Sequence, residues 1–513
     1  MIPPNSTEDL SHGIDHLIFR ADADASIGSG HVMRCLALAQ ALIDKGGRVT
    51  FLMAPGAPAI EKRLRDEGAE FVSITSRPGT VEDASEVSTY ASRQNARWVV
   101  LDGYHIRTGY QRVLKEKGLS LLVIDDCGQT DNGYADILLN QNITAQEGLY
   151  SGRKPGARLL LGLKYVLFRR EFLGWKDWRP VIPEVARRIL VTFGGSDPGN
   201  VTCKVLEALA SVSIEGMEIS VVIGPQNLHS DSIRSIAASS PHIVWIVSEP
   251  EDMPSLMAWA DLAIASGGST CWELGFMGVP SLLTSLAENQ DMNVRVLHEA
   301  GRAEEFTARN CDAQDLTERI SDLIRSRALR EGLSRRARED LDGKGAFRVL
   351  TALGESSIRM RSATPDDLMM IWKWRNEPQT RAVSFNPAWI PLDEHKQWFS
   401  RNLADPLSRI LIATDLDGSP VGEVRFSLQG DEAEISVVLD PHYRGKGMGQ
   451  YLIHSGARYL FETTGILKIH SYIKRENEIS WRAFLRAGFR RVGTTEIRDM
   501  KVLHLIFSRV DIA

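Results

Sequence analysis

The amino-acid sequence predicts an α/β protein of three consecutive domains, two of them built on parallel, doubly wound sheets. Its 513 residues exceed the usual size of one hydrophobic core. Strand-like apolar runs alternate with helical stretches, as in the βα units of parallel sheets. A proline-containing stretch at residues 174–184 and the end of a helical stretch near Leu353 interrupt this alternation. We therefore expect domains at residues 14–176, 185–354 and 358–513.

Composition and charge argue against several classes of protein. Hydrophobic residues make up 43% and charged residues 25% of the chain, as in ordinary soluble proteins. The net charge of -6 does not favour a nucleic-acid partner. No apolar run approaches the ~18 residues of a membrane span, and the polar N-terminus lacks a signal core. Five scattered cysteines predict reduced thiols in a cytoplasm and no zinc site. The sequence does not specify an oligomeric state.

The first domain begins with a predicted strand, His16–Arg20, that leads through the turn Gly28-Ser29-Gly30 into a helix. The glycines let the backbone approach a ligand, and free N–H groups at the helix start favour an anion such as a pyrophosphate. His31 lies at the mouth of this turn, where a histidine can act as a general base. A plain turn with a capping histidine is the alternative. Further strands are predicted at 49–53, 98–101 and 121–124, and Tyr104 in the motif LDGY follows the second of them.

The second domain repeats the order of strand, glycine-rich turn and helix. Strands are predicted at 188–192, 219–223, 243–246, 262–265 and 280–284. Gly194 follows the first of these strands, and Gly268, Ser269 and Thr270 after the fourth can hold a diphosphate at a helix start. Glu273, one turn later, can accept hydrogen bonds from ribose hydroxyls, or it can stabilise the helix dipole as an N-terminal acid. After the last strand, a loop offers the amide groups of Asn289 and Gln290 to a substrate.

Two Rossmann-like units with paired glycine-rich turns have the layout of the GT-B nucleotide-sugar enzymes. The motifs RADADASIGSGHVMRCLALA, LDGY, FGGSD, GGSTCWE and LAENQ together resemble the UDP-2,4-diacetamido-2,4,6-trideoxy-β-L-altropyranose hydrolases of pseudaminic acid biosynthesis over roughly residues 16–350. The sequence is similar, more distantly, to the transferase that adds N-acetylglucosamine to the lipid-linked peptidoglycan precursor.

The resemblance to the hydrolases implies a role for each of these motifs. It implies that His31 is the catalytic base and that the GGST turn and Glu273 hold UDP. Tyr104 and Asn289 would position the substrate. Because the resemblance implies no metal, we interpret the acidic pairs Asp22/Asp24 and Asp125/Asp126 as turn and cap acids.

The third domain carries a second phosphate-binding pattern, which resembles the GCN5-related N-acetyltransferases (GNAT) over residues 358–510. A strand leads into the R-x-x-G-x-G turn, and a later helix opens with an N-x-x-S element and ends in Gly-Phe. The resemblance implies acetyl-CoA as a co-substrate, with its diphosphate on the turn and its pantetheine on the strand. The residues expected to bind it are Val437, Val438, Leu439, Arg444, Gly445, Lys446, Gly447, Met448, Gly449, Asn477 and Ser480.

Acetyl transfer also needs a group that takes the proton of the amine. Glu423 is the candidate base and Glu434 the second choice, although either can be an exposed strand acid. Phe484 stands where many relatives have a tyrosine, so the usual acid for the departing thiolate is missing; a thiolate with a pKa near ~8.5 can leave without one. Trp374 and Arg375 on the first helix can stack a uracil and bind a diphosphate, or pack as core residues.

Together these patterns predict two consecutive steps in one chain. The acetyltransferase would acetylate the C4 amine of a UDP-4-amino-4,6-dideoxy-altrosamine. The hydrolase would then release UDP and 2,4-diacetamido-2,4,6-trideoxy-L-altrose, which feeds a nonulosonic acid of surface glycans such as those of flagellin. The alternative is a GT-B glycosyltransferase or hydrolysing epimerase fused to a protein N-terminal acetyltransferase or a CoA-sensing module.

Overall fold

The computed structural model describes residues 14–24, 28–128, 133–195, 197–224, 227–248, 250, 252–308, 312–416, 418–445, 447–497 and 500–511. The chain divides into two compact units, one spanning His16–Leu350 and a second that includes the chain from Thr351 onward. Within the described residues, no helix is both long and apolar enough to cross a bilayer. Cys35, Cys127, Cys203 and Cys271 are free thiols, and Cys311 lies outside the described residues.

The first half of the larger unit is a seven-stranded parallel sheet with helices in its crossover connections. Its strands are β1 His16–Ala21, β2 Arg48–Met53, β3 Glu70–Ser73, β4 Trp98–Asp102, β5 Ser120–Ile124, β6 Ile137–Asn140 and β7 Arg158–Leu161. Its helices are α1 Gly30–Ile43, α2 Pro58–Asp66, α3 Val81–Arg93, α4 Thr108–Glu116 and α5 Arg170–Leu173. The strand order is β3-β2-β1-β4-β5-β6-β7. Successive strands are therefore added on one side of β1 up to β3 and on its other side from β4 onward, so the order reverses between β1 and β4. Every residue of β1 is buried, as expected for a parallel sheet covered on both faces.

The second half repeats this topology with six parallel strands in the order β10-β9-β8-β11-β12-β13. The strands are β8 Arg188–Thr192, β9 Glu218–Ile223, β10 Ile243–Ser248, β11 Leu262–Ser266, β12 Ser281–Thr284 and β13 Glu304–Glu305. The helices are α6 Val201–Ala210, α7 Ser230–Ser239, α8 Met253–Trp259, α9 Ser269–Met277, α10 Glu288–Glu299, α11 Ala313–Arg325, α12 Arg327–Ala337 and α13 Gly345–Ser356. Here the order reverses between β8 and β11. Ligands of open α/β sheets bind at such reversal points, outside the carboxyl ends of the strands.

The unit after Thr351 is a seven-stranded mixed sheet in the order β14-β15-β16-β17-β18-β20-β19. Its strands are β14 Arg359–Ser362, β15 Ser408–Thr414, β16 Pro420–Gln429, β17 Glu432–Leu439, β18 Lys468–Lys474, β19 Arg490–Ile497 and β20 Met500–Ser508. Its helices are α14 Leu368–Asn376, α15 Pro378–Val383, α16 Leu392–Ala404, α17 Met448–Thr463 and α18 Glu478–Arg486. β17 and β18 are parallel, whereas the other neighbours are antiparallel.

These sheets confirm the predicted fold class, a GT-B-like pair of Rossmann-type domains followed by a GNAT α/β domain. The division between the compact units falls between Leu350 and Thr351, inside helix α13. The predicted domain limits place that division slightly later, at residues 354–358.

Candidate functional site

His31 and Asp102 meet at the reversal point of the first sheet. Gly28, with a φ of +72°, turns the chain after β1, and α1 then begins at Gly30. The His31 Nδ1 atom lies 2.6 Å from Asp102 Oδ1 at the end of β4, and the Asp102 side chain is completely buried. An ionised carboxylate can only accept a hydrogen bond, so Nδ1 of a neutral His31 carries the proton. The lone pair of the imidazole is then on Nε2, where a general base needs it.

Arg34 keeps the Asp102 carboxylate ionised. Its Nε and Nη2 atoms donate to the two Asp102 oxygens at 2.6 and 2.7 Å, and its Nη1 donates to Asp126 at 2.6 Å. Burial alone raises the pKa of a carboxyl group, but Arg34 and His31 hold the pKa of Asp102 well below its usual range. Asp102 therefore remains a fixed negative charge behind the imidazole.

Tyr104 and Asn289 connect the two halves of the larger unit. The Tyr104 hydroxyl donates to Asp126 Oδ2 at 3.1 Å and accepts from Asn289 Nδ2 at 2.6 Å. Burial and the Asp126 carboxylate raise the pKa of Tyr104, so its phenol stays protonated. The rings of His31 and Tyr104 are 5.0 Å apart, edge to face. The structure thus brings together three side chains that the sequence predicts for one site.

The diphosphate turn lies at the reversal point of the second sheet. Helix α9 begins at Ser269, and no side chain of the described residues caps its first N–H groups. Thr270 is the second residue of this helix. Gln290 accepts from the Leu286 N–H at 3.0 Å, and its amide nitrogen lies 3.4 Å from where a side chain of Gly268 would begin. The free N–H groups at the start of α9 can therefore receive an anion. Gly194, with a φ of +79°, turns the chain after β8.

Two adjoining cavities, of about 300 and 310 Å³, lie between the halves. Both are lined by Arg34, Gln141, Ser269 and Trp272. One extends to Glu273 and the other to Asn289. A larger, more open cavity of about 1130 Å³ lies elsewhere, beside residues 179–182 and α12. The smaller pair lies between Arg34, the partner of Asp102, and the diphosphate turn at Ser269, so we assign the cleft to this place.

Glu273 is not a free carboxylate in this structure. Arg169 Nη2 lies 2.9 Å from its Oε1 atom, and only 15% of the Glu273 side chain is exposed. Burial raises the pKa of Glu273, while Arg169 acts in the opposite direction. A ribose contact by Glu273 would therefore share this carboxylate with Arg169, a partner that the sequence did not predict.

The acidic pairs have different roles from one another. Asp125 accepts from the backbone N–H groups of Cys127 and Gly128, as a turn acid does. Asp126 is instead the second partner of Arg34, which corrects our interpretation of it as a cap acid. Asp22 pairs with Arg20 at 2.6 Å and accepts from a backbone N–H, so it too is more than a turn acid. The described residues contain no group of three or more acidic, histidine or cysteine side chains arranged to hold a metal ion.

In the unit after Thr351, strands β17 and β18 diverge. They pair over Glu432–Glu434 and Lys468–His470, after which β17 runs on to Leu439. The predicted pantetheine-binding residues Val437, Val438 and Leu439 lie on this extension. Backbone groups along a strand that leaves its neighbour are available to an extended ligand.

The turn after β17 has the backbone that a diphosphate site requires. Gly445 and Gly447 have φ values of +73° and +64°, and α17 begins at Met448 with no side-chain cap from the described residues. Gly449 follows in the first turn of the helix, and Lys446 lies outside the described residues. The turn and the start of helix α17 therefore fit the diphosphate of a CoA ester.

Three residues that the sequence predicts to bind acetyl-CoA, Arg444, Asn477 and Ser480, make hydrogen bonds within the protein. Arg444 donates to Glu377 and Thr380, each at 2.7 Å, and its hydrogen bond lowers the pKa of Glu377 to about 2 against the effect of burial. The Asn477 side chain accepts from the Ser480 N–H at 3.2 Å and so caps α18. The Arg444 guanidinium and the Asn477 side-chain oxygen are therefore already engaged within the protein, whereas Ser480 contributes its backbone N–H to this contact.

The predicted base Glu423 is fully buried in a two-point ion pair. Arg375 donates to both of its oxygens, at 2.7 and 3.1 Å, and the guanidinium also lies 5.0 Å from the Trp398 ring centre. Trp374 is 5% exposed and donates to Asp440, so it is not available to stack a uracil. Trp374 therefore packs as a core residue in this structure, and both oxygens of Glu423 are occupied by Arg375.

Two further predicted residues have contrasting environments. Glu434 is exposed on β17. Phe484 is 4% exposed and packs edge to face on Phe489 at 4.9 Å, so it is a core residue with no acid function.

The sequence missed the residues that support the predicted ones. Arg34 follows His31 by three positions, which places both on one face of α1, and this spacing was a usable signal. Asp102 belongs to the motif LDGY, in which only Tyr104 received a role from the sequence. Arg169 and the pairing of Arg375 with Glu423 join distant parts of the chain, and no local pattern indicates them.

Two family models match the chain. The "Glycosyltransferase family 28 C-terminal domain" matches residues 189–342, and the "Acetyltransferase (GNAT) domain" matches residues 357–490.

Three related proteins match different lengths of the chain. The chain is 32% identical over 274 residues to the spore coat polysaccharide biosynthesis protein SpsG of Bacillus subtilis, covering 47% of this chain and 78% of the relative. It is 25% identical over 293 residues to the UDP-2,4-diacetamido-2,4,6-trideoxy-beta-L-altropyranose hydrolase of Campylobacter jejuni, covering 56% of this chain and 98% of the relative. An uncharacterized protein of Methanocaldococcus jannaschii is 26% identical over 495 residues, covering 92% of this chain and 96% of the relative, and so matches both parts.

The chain therefore belongs to the family of the spore coat polysaccharide biosynthesis protein SpsG, is homologous to the UDP-2,4-diacetamido-2,4,6-trideoxy-β-L-altropyranose hydrolase, and is an enzyme that carries a GNAT acetyltransferase domain behind its glycosyltransferase-28-like part.

Proposed function

We propose that this enzyme catalyses two consecutive steps on a UDP-amino sugar. The GNAT domain acetylates the C4 amine of UDP-4-amino-4,6-dideoxy-N-acetyl-β-L-altrosamine with acetyl-CoA. The GT-B-like part then hydrolyses the diacetamido sugar nucleotide to UDP and 2,4-diacetamido-2,4,6-trideoxy-L-altrose. The observation that carries the hydrolase assignment is the His31–Asp102 pair, 2.6 Å apart, beside a cleft that ends at an uncapped helix.

Hydrolysis needs a base for water and a stabilised leaving group. His31 Nε2 takes a proton from a water molecule as its oxygen forms a bond to the anomeric carbon. The bond from that carbon to the phosphate oxygen breaks at the same time, and UDP departs with the electron pair. The N–H groups at the start of α9 stabilise the diphosphate charge. Asp102 stabilises the imidazolium that forms on His31, and Asn289 and Tyr104 orient the sugar.

Acetyl transfer is supported by the fit between the acetyltransferase unit and a CoA ester. The turn at Gly445 and Gly447 suits a diphosphate, and the diverging end of β17 suits an extended pantetheine. An acetyl thioester supplies an activated acyl group at this position. The protein's own residues must orient the acceptor amine and remove its proton.

One further observation favours a second candidate for the GT-B-like part. The model matching residues 189–342 is that of a glycosyltransferase domain, and sugar transfer to an acceptor other than water would use the same cleft. The reaction product separates the two: hydrolysis gives a free reducing sugar, and transfer gives a glycoside only when an acceptor is added.

The first test uses the purified full chain with the monoamino and the diacetamido sugar nucleotides, each with and without acetyl-CoA. We expect the diacetamido substrate to release UDP without acetyl-CoA. The monoamino substrate should release CoA first and UDP afterwards. His31→Asn should lower UDP release by ~10²–10⁴-fold, the usual effect of losing a positioned base, and leave CoA release unchanged.

His298→Asn provides a matched control, because His298 lies on α10 and pairs with Glu304. It should keep both activities. Wild-type UDP release by His31→Asn would disprove the role of His31, and CoA release without any acetylated sugar would disprove the proposed acceptor.

A further inference from the structure

A half-buried arginine on β16 has no acid in contact with it. The guanidinium of Arg425 lies 5.2 Å from the centre of the Trp398 ring on α16, and among the described residues it forms no hydrogen bond and no ion pair. Arg375 lies 5.0 Å from the same ring but is neutralised by Glu423. Two guanidiniums and one carboxylate thus form this group, which leaves one positive charge without a contacting acid in the described part of the chain.

The surroundings of Arg425 make its charge unfavourable. Burial and the neighbouring Arg375 lower the pKa of Arg425, while the carboxylates of Glu423 and Glu434 act in the opposite direction without forming an ion pair with it. A partly buried cation without a contacting anion costs stability. Local costs of this kind are typical of binding sites. An anionic ligand would supply the missing counterion.

Strand register places Arg425 beside the strand assigned to acetyl-CoA. Arg425 is directly opposite Ser436 on β17. Glu434 and Val438 are therefore its diagonal neighbours on the same face of the sheet. Glu434 is the last residue of β17 that pairs with β18, and Val438 belongs to the extension assigned to the pantetheine. Arg425 thus lies one strand away from the opening expected to hold the acetyl thioester.

Core packing leaves only one face of this opening to an acceptor. Val424 and Phe426 of β16 and Ile435 of β17 belong to the core cluster that packs against α17. Arg425 and Glu434 alternate with these residues along their strands and so lie on the other face. An acceptor of the acetyl group must approach from the face of Arg425 and Glu434, because core side chains fill the opposite one.

We propose that Arg425 binds the diphosphate of the acceptor and that Glu434 attracts its ammonium group, so that the GNAT domain selects an amine that also carries phosphate. This inference rests on the proposed acetylation of a UDP-amino sugar. Diagonal neighbours on antiparallel strands are ~7–8 Å apart. The amine at C4 and the diphosphate at C1 lie on opposite sides of a pyranose ring, so one substrate can meet both charges.

Arg425 takes the diphosphate-binding role that the sequence suggested for Arg375. Both oxygens of Glu423 hold the Arg375 guanidinium. Arg425 instead rests on the Trp398 ring, which orients its guanidinium and leaves its N–H groups to donate in pairs to phosphate oxygens. A polyamine offers Arg425 no anion and would be repelled by it. The site therefore favours a sugar nucleotide over an acceptor such as spermidine.

The test measures CoA release by the full chain with two acceptors, the monoamino sugar nucleotide and the same amino sugar without UDP. Arg425→Met removes the charge and keeps an unbranched side chain that can pack on Trp398. We expect its KM for the sugar nucleotide to rise by ~10–100-fold, the usual effect of losing a hydrogen bond to a charged group. The kcat and the KM for acetyl-CoA should change little. On the amino sugar without UDP, this variant and the wild type should have equal kcat/KM.

Two further variants test the individual charges. Arg425→Lys keeps a positive charge but not the planar guanidinium, so it should recover part of the affinity for the sugar nucleotide. Glu434→Gln should raise KM for both acceptors, because both carry the ammonium group. If Arg425→Met is unstable, Arg425→Gln serves the same purpose. Melting curves of all variants separate a loss of fold from a loss of binding.

Arg409→Met is the matched control. Arg409 is also half-buried, but it lies on β15 opposite Phe426 and so on the face packed against α17. Its guanidinium donates to the backbone carbonyls of Pro406 and Ser408. This variant should keep the wild-type KM for both acceptors.

The outcomes separate this inference from the proposed function. A wild-type KM for the sugar nucleotide in folded Arg425→Met, or an equal rise in KM for both acceptors, would overturn diphosphate binding by Arg425 while leaving acetyl transfer intact. If the wild-type protein acetylates spermidine in preference to the sugar nucleotide, both the proposed acceptor and its recognition by Arg425 are wrong.

Discussion

At the scale of single residues, the chemistry of the cleft depends on which imidazole nitrogen of His31 carries a proton. Asp102 sets this by accepting from Nδ1 at 2.6 Å, and Arg34 fixes the carboxylate with two hydrogen bonds. Asp102→Asn presents an amide N–H to the same nitrogen. We expect the imidazole to respond by placing its proton on Nε2, so that the base can no longer accept one from water.

The expected result for Asp102→Asn is a fall in kcat for UDP release of ~10²–10⁴-fold. KM should change little, because the Asp102 side chain is completely buried behind His31. Steady-state kinetics on the diacetamido sugar nucleotide measures both. Asp125→Asn is the control, since Asp125 caps a neighbouring turn and an asparagine oxygen can do the same. A large rise in KM with unchanged kcat would mean that Asp102 acts on binding.

Residue type and position pointed to His31, the resemblance to the hydrolases added roles for Tyr104 and Asn289, and the fold brings all three side chains to one place. Each follows a strand of a parallel sheet or starts a helix, and such positions converge at the carboxyl edge. The ion-pair partners of buried carboxylates were not predictable in the same way. Glu273 pairs with Arg169 and Glu423 pairs with Arg375, and in each case the arginine lies far away in the sequence.

At the scale of elements, the helices α1, α9 and α17 each begin at a glycine-rich turn that follows a strand in the chain. None of them has a side-chain cap from the described residues. The sequence predicted all three starts, because an apolar run followed by glycines is a strong local signal. It missed the short strands β3, β6 and β7. Runs of four residues carry too little periodicity to separate strand from loop. The divergence of β17 from β18 follows from long-range pairing and has no local signal.

The start of α17 can be tested at Gly447, whose φ of +64° suits glycine. An alanine there costs about 1–2 kcal/mol. If the turn shifts to relieve this strain, the affinity for acetyl-CoA falls by ~5–30-fold. We therefore expect Gly447→Ala to raise KM for acetyl-CoA by that factor and to leave UDP release unchanged. Gly465→Ala is the control, since an added methyl group there meets open space. An unchanged KM would mean that the turn does not bind the diphosphate.

At the scale of the whole molecule, helix α13 bears on how the two activities can be separated. Its first half contacts the larger unit: Lys45 lies over the Phe347 ring at 4.6 Å, and Arg348 donates to the Lys164 carbonyl at 2.8 Å. Its last turn belongs to the acetyltransferase unit, where Gly354 lies so close to Tyr451 that a side chain would begin 2.4 Å from the ring. Composition and length predict three domains, but they carry no signal for this double use of one helix, which depends on packing.

We therefore predict that each activity survives alone only when its fragment contains all of α13. Fragment 1–356 should release UDP without acetyl-CoA, and fragment 345–513 should release CoA from the monoamino substrate. A fragment starting at residue 355 keeps Glu355, the partner of His454, but loses the helical turns that place it. Losing about 2 kcal/mol of packing lowers the Tm of a domain of this size by ~4–8 °C. Calorimetry of 345–513 against 355–513 measures this difference. Equal Tm values would show that α13 contributes nothing to the acetyltransferase, and a folded but inactive 1–356 would show that hydrolysis needs both units.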